Sequence, residues 1–203
     1  GSGSGNITVT PSNYCGDGTP SSLAITVEDV PIQPSVISGD ASPCIGSSQT
    51  YSVSSVSGVT YTWDLPTGWT GSSTTNSITV TVGSGSGNIT VTPSNSCGDG
   101  TPRSLGVTVE DVPTQPGVIS GETNPCETST QTYSVTNVSG VTYSWDLPSG
   151  WTGSSTSNSI TVTVGSGSGD ITVTPSNSCG DGTLRSLAVT VDDVPAQPSV
   201  ISG

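Results

Sequence analysis

A cysteine recurs at the same place in three copies of a polar, glycine-rich segment. The segment reads PSNYCGDGT at 11–19 and PSNSCGDGT at 93–101 and 175–183. A thiol in such a turn could serve as a nucleophile, as a metal ligand or as half of a disulfide. The first role needs an activating base and the second needs closely spaced ligands, but the sequence has no histidine and no second cysteine within a few residues. These cysteines are therefore predicted to form disulfides.

Pairs of adjacent acids that precede a proline are the other residues with the chemistry of a site. Calcium binds carboxylate and carbonyl oxygens, and a junction between domains could supply them from two sides, with Asp40 or Asp99 of a neighbouring unit as further ligands. No DxDxDG spacing exists, so solvated charge that resists edge pairing is the alternative interpretation. No other cofactor is expected. The candidate calcium residues are Glu28, Asp29, Glu110, Asp111, Asp192 and Asp193.

The composition argues against several classes of function. The chain has 203 residues and a formal net charge of −13, with two basic residues against fifteen acids. Binding to nucleic acids or anionic membranes requires basic residues, so neither is expected, and no apolar stretch is long enough to insert in a membrane. GSGSGN at 83–88 lacks the lysine and the helix of a phosphate-binding loop and is predicted to be a flexible hairpin turn. Without histidine or lysine to act as a base, the chain is not predicted to be an enzyme.

An internal repeat organises the elements that must position these residues. Cys97 and Cys179 lie 82 residues apart (179 − 97), as do Cys44 and Cys126, and the surrounding sequence recurs with the same step. Apolar and polar residues alternate in segments such as SITVTV at 77–82, which is typical of half-buried strands. No segment has a helical period. We therefore expect an all-β fold of small sandwiches of about 82 residues.

Prolines set the boundaries of the repeats. The segment VPIQPSVISG at 30–39 carries two prolines, which exclude a central strand, and is predicted to be an edge strand after a stiff linker. Complete repeats are expected at 31–112 and 113–194. Residues 1–30 are then the C-terminal half of a preceding repeat and residues 195–203 the start of a following one. The chain is accordingly expected to belong to a longer linear array.

The order of the motifs resembles one family over the whole chain. The motifs are ISG after a proline-rich linker, a cysteine before TYSV, and then VTYTWDL, NSITVTVG, SGNITVTPSNSCG and a last VTV. They resemble the PKD-like, immunoglobulin-like repeats of giant surface proteins from Bacteroidota. The resemblance implies tandem seven-stranded immunoglobulin-like sandwiches, secretion by the type IX route and a place on the bacterial cell surface. It also implies a role as an adhesin or stalk, gliding-motility adhesins included, but no particular ligand.

Two pairings of the cysteines are compatible with the sequence. The default pairing is within a repeat, Cys44 with Cys97 and Cys126 with Cys179, which leaves Cys15 for a partner upstream. In a strictly immunoglobulin-like order, however, the two cysteines of one repeat fall at opposite poles, whereas a disulfide needs Cα atoms within about 7 Å. The alternatives are that the segment before TYSV doubles back or that Cys44 is joined to Cys179 of the next repeat.

The four tryptophans fall into two classes. Trp63 and Trp145 alternate with polar residues in a predicted strand and are expected in the core. Trp69 and Trp151 lie in the loops PTGWTGSS and PSGWTGSS. Half-exposed loop tryptophans suit stacking on sugar rings or on a neighbouring domain, whereas the simpler interpretation, which we favour, is a plug over one end of the core.

Two functions follow from these observations. The first is a structural repeat segment of a secreted bacterial surface adhesin, in which near-identical sandwiches form a semi-rigid stalk or filament. Its partners would be neighbouring repeats of the same chain and other copies in a filament. The second is a carbohydrate-binding module that presents Trp69 and Trp151 to surface glycans.

Overall fold

The computed structural model describes residues 3–193 of the chain. Every regular element in that range is a β-strand, which confirms the all-β prediction. The chain contains two compact units, Gly1–Val109 and Glu110–Gly203. The predicted start of a following repeat, at 195–203, lies outside the described residues.

The first unit begins with a small antiparallel hairpin. Strand β1 (Gly5–Val9) pairs with β4 (Ser21–Ile25), and the short strands β2 (Ser12–Asn13) and β3 (Gly16–Asp17) pair between them. Its apolar side chains are open to solvent; Ile7, for example, is 64% exposed.

The first complete repeat consists of two antiparallel sheets. Strand β5 (Ser48–Ser52) pairs with β7 (Ser77–Thr81) in one sheet. The other sheet has the order β10-β8-β6, with β9 also paired to β8. Its strands are β6 (Thr60–Asp64), β8 (Gly87–Asn95), β9 (Gly98–Asp99) and β10 (Arg103–Val107).

The second complete repeat has the same topology. Strand β11 (Thr130–Ser134) pairs with β13 (Ser159–Thr163), and β14 lies between β12 and β16 with β15 paired to it. Those four strands are β12 (Thr142–Asp146), β14 (Gly169–Asn177), β15 (Gly180–Asp181) and β16 (Arg185–Val189).

Alternate residues of the strands form the core of each repeat. In β7, Ile78 and Val80 are buried whereas Thr79 is exposed, as a period of two requires. Tyr51, Ile89 and Val91 have no exposed surface, and they face each other from the two sheets in one cluster. The second repeat has the equivalent cluster. The predicted strand periodicity is therefore correct on both sheets.

The GSGSG segment is a crossing between sheets, so the prediction of a flexible hairpin turn is wrong. It joins β7 to β8, which pair with different partners in different sheets. A Cβ on Gly83 would overlap the carbonyl of Gly68, so the segment packs closely against the preceding loop. The glycines are needed for this close approach between two backbones.

The proline-rich segment at 30–39 joins the sheet at one point only. Ser38 and Ser52 form an isolated antiparallel bridge, and their backbones exchange hydrogen bonds of 2.8 and 3.0 Å. The predicted edge strand is thus reduced to a single bridge, because Pro31 and Pro34 have no amide hydrogen to donate to a ladder.

Candidate functional site

The cysteine-bearing turn is folded by its own asparagine and glycines. Asn95 Oδ1 accepts a hydrogen bond from the amide of Cys97 at 2.9 Å, a local bond that favours turns. Gly98 has a φ of 130°, which favours glycine. The amide of Gly100 donates to the carbonyl of Pro93 at 2.8 Å. The first and third copies of the turn contain the same bonds.

This turn holds the linker that enters its own repeat. Asn95 Nδ2 donates to the carbonyl of Asp29 at 2.8 Å, and Cys97 Sγ donates to the carbonyl of Glu28 at 3.2 Å. The second repeat has the equivalent bond of 2.8 Å from Asn177 Nδ2 to the carbonyl of Asp111. The motif therefore binds a linker segment that lies more than sixty residues earlier in the sequence.

The last glycine of the motif makes room for the linker. A Cβ on Gly100 would overlap the carbonyl of Pro31, and in the second repeat a Cβ on Gly182 would overlap the carbonyl of Pro113. Only glycine lets the two backbones approach so closely.

Two long side chains extend the hold along the linker. Gln33 Nε2 donates to the carbonyl of Pro102 at 2.8 Å, and Arg103 Nε donates to the carbonyl of Pro34 at 3.1 Å. In the second repeat Gln115 and Arg185 make the equivalent bonds. We call this set of contacts the linker clasp. It consists of the bonds that the turn, the glutamine and the arginine make to hold residues 28–34 in the first repeat and residues 110–116 in the second.

Sequence reasoning missed the role of the two arginines. It counted them only as a deficit of positive charge, although they are the only basic residues in the chain and occupy equivalent positions of the repeat. Their spacing of one repeat was the only signal in the sequence that pointed to a shared role.

The predicted disulfides within a repeat are not formed. Cys97 and Cys126 are free, as is Cys15, whereas Cys44 and Cys179 are disulfide-bonded. The physical reason is that the two kinds of cysteine lie at opposite ends of a repeat. Cys97 lies at the entering linker, beside Glu28, and Cys126 lies at the leaving end, in a backbone bridge with Asp192.

The acidic pairs interact with the clasp and the neighbouring backbone. Glu28 Oε2 accepts a weak bond from Ser96 Oγ at 3.4 Å, and Glu110 Oε2 accepts one from Ser178 Oγ at 3.1 Å. Within residues 3–193, no three cysteine or acidic side chains come together as a metal site would require. Three acids in the candidate calcium positions make backbone contacts: Asp29 and Asp111 supply carbonyls to the clasp, and Asp192 forms a bridge with Cys126.

The loop tryptophans are core residues, which agrees with the interpretation as a plug over the core and contradicts the half-exposed one. Trp69 and Trp151 are each 7% exposed, and each packs against a buried tyrosine at a ring-centroid distance of 6.1 Å. Trp69 Nε1 donates to the carbonyl of Gly85 at 2.8 Å, inside the GSGSG crossing. An indole with so little exposed surface is not accessible for stacking on a sugar ring. The interpretation as a plug over one end of the core describes it.

The strand tryptophans are less buried than expected. Trp63 and Trp145 lie on the inward face but at the border of the core, where they are half-buried. Trp63 Nε1 donates to the carbonyl of Thr75 at 3.0 Å, and Trp145 makes the equivalent bond with Ser157.

Burial also changes the acidity of one tyrosine in each repeat. Tyr51 has no exposed surface and donates its hydroxyl hydrogen to the carbonyl of Asp40 at 2.8 Å. Burial first, and the nearby Asp40 carboxylate second, raise the pKa of Tyr51 to about 12. Burial and Glu122 likewise raise the pKa of Tyr133.

Alkaline pH is expected to destabilise both repeats. The folded state holds the phenolic proton of Tyr51 more tightly than the unfolded state, whose pKa is near 10. The stability from this proton is therefore fully present below about pH 10 and is lost as the pH rises through about 12. Thermal unfolding followed by circular dichroism should show the midpoint fall in that window. The double variant Tyr51→Phe/Tyr133→Phe should lose most of this fall, and the exposed-site control Tyr14→Phe should keep it; equal slopes in both variants would contradict the assignment.

No helix in the described part of the chain is long and apolar enough to cross a membrane.

Comparisons with solved structures identify the fold. The chain is similar to the Escherichia coli adhesin FdeC, with 17% identity and a TM-score of 0.50 over 95% of this chain and 75% of that chain. Titin domains A168–A170 match with 16% identity and a TM-score of 0.52, over 93% and 75% of the two chains. The eight N-terminal immunoglobulin domains of Down syndrome cell adhesion molecule match with 13% identity and a TM-score of 0.52, over 93% of this chain and 31% of that one. These likenesses show that the chain has an immunoglobulin-like fold.

A family model decides the membership. No curated protein sequence matches the chain. The model of the PKD-like domain matches twice, at residues 30–107 and 112–189, which together make up most of the chain and coincide with the two sandwiches. The chain therefore belongs to the PKD-like domain family, of which it contains two complete tandem copies.

Proposed function

We propose that this chain is a structural repeat segment of a secreted bacterial surface adhesin and forms part of a semi-rigid stalk or filament used for adhesion or gliding motility. Membership of the PKD-like family and a fold shared with adhesin and cell-adhesion domains support an extracellular role. The resemblance of its motifs to the repeats of Bacteroidota surface proteins supports the gliding-adhesin type. The partners of the segment are then neighbouring repeats and other copies in a filament.

The linker clasp is the observation that carries this proposal. A linker of glycine and serine moves as a flexible coil, but prolines stiffen a chain and hydrogen bonds to a folded domain fix it further. Residues 28–34 accept bonds from Asn95, Cys97 and Arg103 and donate one through Gln33. Because these hydrogen bonds hold the segment along its length, we expect it to move together with its repeat as one body. Stiffness of this kind benefits a stalk, whereas an isolated binding module does not require it.

The charge of the chain supports the same use. The chain has a net charge of −13 and only two basic residues, so its charged side chains are almost all negative. Like charge keeps densely displayed chains apart and discourages pairing between exposed strand edges. We expect the proposed stalk to be stiff without calcium, because the clasp is built from amide, guanidinium and carbonyl groups.

Distances between spin labels test the stiffness. In a Cys15→Ser/Cys97→Ser background, which keeps a hydroxyl donor in the clasp, Thr62→Cys on the exposed face of β6 and the free thiol of Cys126 accept maleimide spin labels, one in each complete repeat. We expect double electron–electron resonance to give a narrow distance distribution after reduction of the remaining disulfide, with or without a calcium chelator. The variant Gln115→Ala/Arg185→Ala removes two clasp side chains from the middle linker and should broaden the distribution about twofold.

A matched variant controls for general loosening. Thr132→Ala/Thr161→Ala removes a hydrogen bond of 3.2 Å from the outer face of the same repeat and should leave the distribution unchanged. A broad distribution in the unsubstituted chain, or no effect of the clasp variant, would contradict a semi-rigid stalk. Antibodies against the chain should also label intact cells of the source bacterium, and labelling only after lysis would contradict the surface location.

A further inference from the structure

Each cysteine-bearing turn contains an aspartate–glycine bond, at Asp17–Gly18, Asp99–Gly100 and Asp181–Gly182. In such a bond the amide nitrogen of the glycine can attack the side-chain carboxyl of the aspartate, because the glycine has no side chain to hinder the approach. The residues around the bond read CGDGT in all three copies, and all three aspartates are exposed. A difference in reactivity between the copies must therefore come from their folded surroundings.

The reaction is a loss of water followed by a hydrolysis. First the glycine nitrogen forms a bond with aspartate Cγ, the bond from Cγ to its hydroxyl breaks, and the hydroxyl leaves with the amide proton as water. Water then adds to one of the two carbonyls of this succinimide and opens the ring. Opening at the main-chain carbonyl leaves the glycine attached to Cγ, which is an isoaspartate with one more carbon atom in the backbone. The net change is an isomerisation.

The nitrogen that would attack is hydrogen-bonded in every copy of the turn. The amide of Gly18 donates to the carbonyl of Pro11 at 2.7 Å, and Gly100 and Gly182 make the equivalent bond with a proline at 2.8 Å. Cyclisation requires this bond to break and the glycine peptide to rotate. Since all three copies share the bond, it slows the reaction in each of them equally.

The linker distinguishes the copies. Within residues 3–193, linker contacts are found at the second and third turns and not at the first. The atoms nearest to a Cβ on Gly18 all belong to Pro11 of the same turn, and Gly18 is exposed. A Cβ on Gly100 would instead overlap the carbonyl of Pro31, so the linker backbone lies directly on this glycine. Gly182 has the equivalent contact with the next linker.

We propose that the aspartate–glycine bond of each turn is a site of spontaneous isomerisation to isoaspartate, and that the linker clasp suppresses the reaction at Asp99 and Asp181. The glycine can rotate only when its turn opens locally. Where the linker lies on the glycine, opening must also displace the linker and break the bonds that Gln33 and Arg103, or their equivalents, make with it. The turn at Asp17 opens without breaking such bonds.

An isoaspartate would break the turn that holds the linker. Its extra backbone carbon moves the amide of Gly100 away from the carbonyl of Pro93 and disturbs the close fit of Gly100 against Pro31. The clasp of that repeat is then lost, and the change persists because the backbone itself has been rerouted. The chemistry does not depend on the proposed stalk function, but its use as a limit on the time for which a linker stays stiff rests on that function.

Peptide mapping of the aged chain measures the three reactions separately. The chain is kept folded at neutral pH, then reduced, alkylated and cut with trypsin and a glutamate-specific protease. The three bonds then lie in peptides 1–28, 29–103 and 128–185. Electron-transfer dissociation distinguishes isoaspartate from aspartate in each peptide. We expect Asp17 to isomerise about tenfold faster than Asp99 or Asp181, because the hydrogen bonds of the clasp keep those two turns closed.

Unfolding provides the control for the sequence itself. In urea the three bonds should isomerise at equal rates, because their neighbouring residues are identical. Equal rates in the folded chain as well would overturn the proposal, and this comparison needs no substitution.

Repeat-matched variants test the clasp directly. Gln33→Ala/Arg103→Ala should speed the reaction at Asp99 about tenfold and leave Asp181 unchanged, and the equivalent double variant of the second repeat should do the reverse. The loss of a trypsin site only lengthens the peptide that carries the bond, and circular dichroism verifies that each variant is folded. A folded variant that accelerates both turns alike, or neither, would overturn the proposal. The spin-label distances measure stiffness and not this chemistry, so the isomerisation and the stalk can fail separately.

Discussion

Trp151→Ala is expected to destabilise the second repeat by about 3–5 kcal/mol, close to the whole stability of a domain of this size. The indole is 7% exposed, packs against Tyr133 and donates from Nε1 to the carbonyl of Gly167 at 2.8 Å. Alanine would leave a cavity and an unpaired carbonyl in the crossing between the sheets. Urea unfolding followed by circular dichroism measures the loss, and Trp69→Ala should have the same effect on the first repeat.

A tryptophan of the same repeat provides the control. Trp145 is only half-buried at the border of the core, so Trp145→Ala should cost clearly less than Trp151→Ala. The sequence did not predict this order, because it placed Trp145 in the core and left Trp151 as either a plug over the core or a half-exposed binding residue. If Trp145→Ala were the more damaging change, the packing of the loop tryptophan over the core would be wrong.

Gly100→Ala is expected to displace the linker and to lower the stability of the first repeat by about 1–3 kcal/mol. The added methyl group would overlap the carbonyl of Pro31 and press on the ring of Pro93, 3.1 Å away. Backbone atoms on both sides leave little room to relax. Urea unfolding measures this loss of stability. If Gln33→Ala lowers the stability of the unsubstituted chain but not that of the Gly100→Ala variant, the linker has left the clasp in that variant.

The chain itself offers the matched control for this change. Gly106 lies in β10 of the same repeat, a Cβ there would meet only Asn88 Oδ1 at 3.6 Å, and the equivalent residue of the second repeat is Ala188. Gly106→Ala should therefore be neutral or should stabilise the repeat by up to about 1 kcal/mol. Equal losses from the two substitutions would show that the close approach at Gly100 does not matter.

The strands could be predicted from the sequence because their signal is local. Alternation in SITVT and NITVT reports which face of a strand is buried, and the 82-residue step reports how often the unit recurs. The core positions Ile78, Val80 and Ile89 follow directly from that pattern.

The tryptophans and the clasp could not be predicted in the same way. Trp69 is buried because the loop after β6 returns to the sheet, where Thr70 pairs with Thr81, and no local pattern reports that return. The clasp joins residues that lie 66 to 69 positions apart. The pairing of cysteines within a repeat assumed that each sandwich is a closed unit, whereas the cysteines sit at its two ends.

The clasp joins segments that lie far apart in the sequence, so a chain of near-identical repeats could pair a linker with the turn of the wrong repeat during folding. The turn PSNSCGDGT at 93–101 is identical to the one at 175–183, so residues 28–34 would find the same donors in either. Closing the longer loop costs only about 0.6 kcal/mol more per doubling of length, which discriminates weakly. Synthesis from the N-terminus supplies the discrimination, because the correct turn leaves the ribosome roughly 80 residues before its competitor. Refolding from denaturant lacks this order, and exchanged linkers between repeats should then become its characteristic error.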